Sequence, residues 1–267
     1  MTVKNIKSIL NGTMIHESLV YGELKNKTIA IDLPIYFYKQ IQKTNKSFAL
    51  RNLFHFITRF LQKNINLIFI SETSLTSNIY NSFYELIDLC GQPLIITSTD
   101  SEAVAAYLTM TGKADAVFTT DYDALIFGAK TMYVKTEKAY VKYILSSELL
   151  SLGLTDRKQL IDLALWIGTD YNEGVKGIGP KKALNLVKNG DTGIQMIPDY
   201  KKLFSLFWND LKTEFHTKPA QIDMKKLIKF LQGQEFNIDL YRNQIEFLRH
   251  FDSSSRSVLD YYFGGKK

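Results

Sequence analysis

Thr28-Ile29-Ala30-Ile31-Asp32-Leu33-Pro34 decides the fold class. A short run of β-branched and apolar residues ends at an acid, and the proline two positions later suits the first turn of a helix. The stretch reads as a buried strand, Thr28–Ile31, with Asp32 at its carboxyl end and a helix from Pro34 through Ile41. Outward from it the pattern repeats. Phe48–Leu61 spaces its apolar residues as a helix does, and Leu67–Ile70 is the next apolar run. Ile79–Leu89 reads as a helix stopped by Gly91, and Leu94–Thr97 as a strand. Ala103–Met110 is a helix, Ala116–Thr119 a strand, and Ala124–Phe127 the start of another helix. Met132–Val134 and Tyr140–Ile144 pair as a hairpin. Strands alternating with helices predict an α/β fold: a mainly parallel central sheet with helices on both faces.

From Ser146 onward the patterns are helical only: Leu160–Ile167, Ala183–Val187, Leu203–Phe215, Met224–Leu231 and Leu240–Phe251. The expected organisation is an α/β core over 1–145, a helical region over 146–252, and a tail over 253–267 that opens on Ser253-Ser254-Ser255 as a flexible lead. No internal repeat is present.

The composition narrows the function classes. With 45% hydrophobic residues in 267 the chain can bury a large core, which excludes wholesale disorder. A single cysteine, Cys90, excludes a disulfide scaffold, and four scattered histidines lack zinc-site spacing. No apolar run reaches membrane-spanning length and the first residues lack a signal-peptide layout, so an intracellular protein with no membrane attachment is expected. The net charge of +6 is uneven: residues 1–170 hold 17 Lys and Arg against 16 Asp and Glu, and residues 171–267 hold 16 against 11. The basic second part points either to a polyanionic partner or to a solvated Lys-rich surface.

Acids stand where strands end: Asp32, Glu72, Asp100 with Glu102, and Asp121 with Asp123, joined by Asp170 after the Leu160–Ile167 helix. In an open parallel sheet, sites are built at the carboxyl ends of the strands. Two charges about 4 Å apart repel by about 4 kcal/mol at an effective dielectric near ~20, and a divalent cation removes that cost. Oxygen donors without His or Cys suit Mg²⁺ or Mn²⁺ rather than Zn²⁺. Helix N-capping is the alternative for strand-end acids, and for Asp100 or Asp121 alone it is the plainer reading; the set as a whole favours metal. A second feature is Gly177-Ile178-Gly179-Pro180-Lys181-Lys182, two glycines and a first-turn proline opening a helix. Its free N–H groups and the charges of Lys176, Lys181 and Lys182 suit a phosphate, and an ordinary helix–helix connector is the alternative.

Trp166-Ile167-Gly168-Thr169-Asp170 through Ala183 resembles the signature of the flap endonuclease family of structure-specific 5′ nucleases. Thr120-Asp121-Tyr122-Asp123 through Gly128 resembles its paired-aspartate motif, Asp100-Ser101-Glu102-Ala103 its Glu-x-Glu-Ala motif, and Ile29–Asp32 its first catalytic aspartate. Leu227–Leu231 and the final residues also resemble its C-terminal region. The resemblance implies a 5′-nuclease (PIN-like) fold with a helix–two-turn–helix over about 157–189. It implies that Asp32, Asp100, Glu102, Asp121, Asp123 and Asp170 act in catalysis and bind two Mg²⁺ ions, with Mn²⁺ as a substitute. Gly177 and Gly179 would hold a duplex phosphate at a turn that in the family also binds K⁺, and Tyr38 would stack on a base unless it is a core helix residue.

The chain departs from the family where a Phe-Asp-Gly motif is expected. Phe69-Ile70-Ser71-Glu72 stands there, so either Glu72 substitutes as a ligand or that ligand is lost. Asp100 is shorter than the family's Glu, and Met1-Thr2 replaces Met-Gly. The family's long basic arch is absent: 27 residues separate Glu72 from Asp100, with no Lys or Arg between Lys63 and Lys113.

The resemblance implies a Mg²⁺-dependent 5′ flap endonuclease and 5′–3′ exonuclease, acting as a monomer on flapped or branched double-stranded DNA. Its process would be replication, repair or recombination, in a nucleus or a viral replication compartment. A catalytically weak or inactive DNA-binding scaffold, and a nuclease acting on RNA, are the alternatives. Arg256, Leu259, Tyr262 and Phe263 resemble the family's sliding-clamp-binding peptide, with Arg256 in place of Gln; folding back onto the core is the other reading of these residues.

Overall fold

In the computed structural model Thr28–Asp32 is a strand, and Ile29, Ala30, Ile31 and Asp32 are fully buried. The structure describes residues 3, 5–34, 45–75, 78–136, 139–169, 172–191 and 217–251. Its strands are β1 (Thr13–Ile15), β2 (Thr28–Asp32), β3 (Asn66–Glu72), β4 (Leu94–Thr97), β5 (Ala116–Phe118), β6 (Thr131–Lys135) and β7 (Tyr140–Ile144). Its helices are α1 (Glu17–Leu24), α2 (Lys46–Gln62), α3 (Asn78–Leu89), α4 (Ser101–Met110) and α5 (Asp123–Ile126), then α6 (Leu145–Leu152), α7 (Arg157–Ile167), α8 (Pro180–Lys188), α9 (Met224–Gly233) and α10 (Arg242–His250). The expected α/β class is what the chain adopts. The chain divides into two units, Met1–Glu17 with Glu102–Glu214, and Ser18–Ser101 with Phe215–Lys267.

In the second unit β2, β3 and β4 run parallel in that order, with Asp32 opposite Ile70 and Glu72 opposite Thr97. Leu67 through Ser71 are all buried, and an unbroken apolar run of this kind belongs to a strand covered on both sides. Asn45 caps α2 by accepting the Phe48 N–H at 2.8 Å, and the helix buries Leu50, Leu53, Phe54, Ile57 and Leu61. Phe54 meets Phe236 and Tyr241 edge-on at 5.9 and 5.7 Å, which seats the α9–α10 segment on α2. Gly91 ends α3 as expected. It has φ +68, and a Cβ there would lie 2.4 Å from the Ala220 carbonyl oxygen, whose residue donates its N–H to Gly91 O at 2.8 Å.

In the first unit the order is β1-β7-β6-β5. β5 and β6 are parallel, β6 and β7 form the expected antiparallel hairpin, and β1 adds antiparallel to β7. The strand β1 and helix α1 were not foreseen. Only Ile15 of the three β1 residues is buried, so no apolar run marks it. The helices expected over 34–41 (beyond Pro34) and 203–215 lie outside the described residues. Among the described residues no helix is long and apolar enough to cross a membrane.

Candidate active site and nucleic-acid interface

Parallel pairing places the carboxyl ends of β2, β3 and β4 at one edge of the second unit, and an acid stands at or just beyond each of these ends. Asp32 is the last residue of β2, Glu72 the last of β3, and Asp100 directly precedes α4. The Ser101 hydroxyl donates to Asp32 Oδ1 at 2.9 Å and lies 3.2 Å from Glu72 Oε1. The Ser101 N–H reaches the same Glu72 oxygen at 3.4 Å, and the Ser74 hydroxyl reaches Glu72 Oε2 at 3.3 Å. Glu72 is therefore an oriented carboxylate. Behind it, the Tyr84 hydroxyl lies 2.7 Å from Ser71 Oγ, and burial pushes the Tyr84 phenol up, with the Glu72 charge adding to the shift against the Ser71 hydrogen bond.

In the first unit the turn after β5 builds the aspartate pair. Asp121 donates its N–H to Thr119 Oγ1 at 2.9 Å and accepts the Asp123 N–H on Oδ1 at 3.0 Å. Asp123 Oδ1 accepts the N–H of Val3 at 2.8 Å. Asp121 and Asp123 are each 2% exposed and Glu102 is 8% exposed, so all three acids are desolvated, and the two aspartates are held by backbone donors. The amino-terminal segment is pinned a second time where Asn11 N–H donates to Glu148 Oε2 at 2.7 Å. Burial pushes the Glu148 carboxyl up, against the opposing effect of that amide.

The loop joining α7 and α8 is also in the first unit. Asn172 Nδ2 donates to Leu165 O at 2.8 Å and Val175 N–H to Trp166 O at 3.0 Å, closing the loop onto the end of α7. At Gly174 a Cβ would fall 2.4 Å from the Ile167 carbonyl, so only glycine lets the chain pass. Gly177 has φ +83 and Gly179 is the N-cap of α8, with Pro180 in the first turn and no side-chain cap. Nothing lies within 4 Å of a Cβ built at either residue, so this face of the turn is open. Lys176, Lys181 and Lys182 are exposed beside it, and Lys182 Nζ reaches Gly177 O at 3.2 Å.

The structure thus links Asp32 and Glu72 through Ser101, pairs Asp121 with Asp123, and groups Gly177, Gly179 and the lysines. Asp170, Tyr38, Arg256, Leu259, Tyr262 and Phe263 lie outside the described residues. Sequence reasoning missed Ser101 and Val3 as partners of these acids. Ser101 had a signal, a hydroxyl between Asp100 and Glu102, whereas a backbone N–H such as that of Val3 leaves no mark in sequence.

The donor chemistry fits a hard cation: every candidate ligand is a carboxylate, and Cys90 is a buried thiol pushed up by desolvation, away from the thiolate form. Among the described residues no three His, Cys, Asp or Glu side chains stand close enough together to hold a metal ion.

Residues 91–170 match the XPG I-region family. A flap endonuclease 1 from Methanosarcina barkeri is 32% identical over 205 residues, covering 67% of this chain and 60% of that protein. Among solved structures, flap endonuclease-1 from Methanococcus jannaschii aligns with a TM-score of 0.79 at 22% identity, over 91% of this chain and 97% of that one. Human GEN1 in complex with Holliday junction DNA aligns with a TM-score of 0.72 at 22% identity, over 94% and 79%. These two likenesses concern the fold. The chain spans 60% of the length of the Methanosarcina relative.

Proposed function

We propose, from the match of residues 91–170 to the XPG I-region family and the 32% identity to a flap endonuclease 1, that the chain is a structure-specific 5′ nuclease hydrolysing phosphodiesters near single-strand/double-strand junctions of DNA. The observation that carries this reading is the pair of ordered carboxylate groups, Asp32 and Glu72 tied through Ser101 and Asp121 tied to Asp123, of which Asp32, Asp121 and Asp123 fall in stretches that resemble family motifs. Asp32, Glu72, Asp100, Glu102, Asp121, Asp123 and Asp170 would hold two Mg²⁺ ions, or Mn²⁺ in their place. When bound, the ions supply Lewis acidity and neutralise charge on the phosphate.

The chain's own residues do the rest. Backbone donors and hydroxyls hold the carboxylates oriented, so little reorganisation is needed as charge develops on the phosphate. Water adds to phosphorus, the bond to the 3′ oxygen breaks, and the products are a 5′ phosphate and a 3′ hydroxyl. The open turn at Gly177 and Gly179, with Lys176, Lys181 and Lys182 and K⁺ at that turn, would grip a duplex phosphate and read shape rather than sequence. Tyr38 would stack on a base. Residues 146–252 would form the duplex-gripping region, and Arg256, Leu259, Tyr262 and Phe263 a sliding-clamp peptide on a monomeric enzyme of a DNA replication or repair compartment.

The altered Phe69–Glu72 motif and the lack of Lys or Arg between Lys63 and Lys113 favour a second reading, a weak or inactive DNA-binding scaffold. The two separate on Asp123→Asn. A nuclease loses cleavage while its duplex affinity, resting on the turn, stays within about threefold of wild type. Affinity collapsing together with cleavage contradicts this division of labour.

A further inference from the structure

Ser101 touches two acids that lie on different strands. Its hydroxyl is 2.9 Å from Asp32 Oδ1 and 3.2 Å from Glu72 Oε1, and its N–H is 3.4 Å from the latter. Ser101 and Asp32 are both fully buried, so the contact is shielded from bulk solvent. A serine hydroxyl carries one proton and donates to one oxygen at a time. The other carboxylate then faces its lone pairs, an arrangement relieved by positive charge brought to the two acids. The Ser74 hydroxyl lies 3.3 Å from the other oxygen of Glu72.

We propose that Ser101 is a positioning residue whose hydroxyl sets the spacing and orientation of Asp32 and Glu72, and through them the affinity of the site for a divalent cation. The proposal rests on the reading of Asp32 and Glu72 as cation ligands. Partners that orient metal ligands change affinity by about 10–100-fold when removed, and the loss of Ser101 belongs in that range.

The test is a Mn²⁺ titration of the full-length, DNA-free protein, with free Mn²⁺ read by electron paramagnetic resonance and melting followed in EDTA. Wild type is expected to bind Mn²⁺ saturably. Ser101→Ala should bind about 10–100-fold more weakly while its metal-free melting temperature stays within about 3 °C of wild type. Ser101→Thr, which keeps the hydroxyl, should recover most of the affinity. Ser101→Cys keeps the shape of the side chain, slightly enlarged, with a poorer donor, so it should behave as the alanine variant does and serves if that variant fails to fold. A folded Ser101→Ala or Ser101→Cys binding Mn²⁺ within about twofold of wild type overturns the role of Ser101 alone. Absence of saturable Mn²⁺ binding by wild type overturns the ligand reading beneath it.

Discussion

Replacing Gly177 and, separately, Gly179 by alanine divides the folding role of the α7–α8 turn from its proposed role as a phosphate seat. Gly177 has φ +83, where a side chain costs roughly 1–2 kcal/mol, and nothing lies within 4 Å of the new methyl group to add to or relieve that cost. At about 2–4 °C per kcal/mol for a protein of this size, Gly177→Ala should melt roughly 2–8 °C below wild type. Gly179 has φ −97 and ψ 177, an extended conformation open to any residue, with nothing within 4 Å of its Cβ. Its small N-cap penalty is offset by the entropy removed from the unfolded chain, so Gly179→Ala should melt within about 2 °C of wild type. In both variants a methyl group occupies the open face where a phosphate oxygen would approach the backbone amides. Losing one hydrogen bond to a charged acceptor removes about 1.5–3 kcal/mol, roughly 10–150-fold in Kd. Differential scanning fluorimetry and anisotropy of a labelled duplex, at one fixed salt concentration, read the two effects apart. Gly179→Ala with both wild-type melting and wild-type affinity would refute the phosphate seat.

Three further outcomes follow from the geometry. Glu72 is half-buried and its acceptor bonds are long, so Glu72→Ala should leave melting nearly unchanged but lower turnover about 10²–10³-fold; a silent substitution would leave the Phe69–Glu72 motif without a catalytic ligand. Burial raises the Glu148 carboxyl above its ordinary 4.5, so the folded chain binds that proton more tightly than the unfolded chain and stability falls as pH rises through the window between the two values. Glu148→Gln keeps an acceptor for Asn11 and never ionises, so its melting temperature relative to wild type should climb as pH rises from the ordinary carboxylate value of 4.5, and a flat difference counts against a buried, up-shifted Glu148. Without the long arch, a bulky adduct on the 5′ end of a flap should change the cleavage rate by less than about threefold; strong inhibition by the adduct would show that a threading gateway exists elsewhere.

The strands that carry the acids were legible because they are buried on both sides. Ile29–Ile31 and Leu67–Ile70 read as apolar runs, and an acid ending such a run has few structural reasons to be there. The hairpin of β6 and β7 and the helices α7 and α8 were equally plain. The strand β1 was not, since it is held by main-chain pairing to β7 with one buried side chain. The same limit applied at the site. Which residues are acidic and at what spacing could be read directly, whereas the Val3 amide on Asp123 and the Ser101 hydroxyl between Asp32 and Glu72 come from contacts 120 and 69 residues apart in the chain. Such partners follow from topology, which periodicity does not encode.

The central claim is that these carboxylates serve metal-dependent cleavage of DNA junctions. Its most direct test is to incubate the purified protein with 5′-labelled flap, gapped, nicked and four-way DNA, with Mg²⁺ and with EDTA, and to map the products at single-nucleotide resolution. Mg²⁺-dependent cuts within a few nucleotides of the junction are expected, absent in EDTA and absent with Asp123→Asn. Wild-type protein that binds these substrates yet cuts none of them in Mg²⁺ or Mn²⁺ would contradict the claim and leave the scaffold reading in its place.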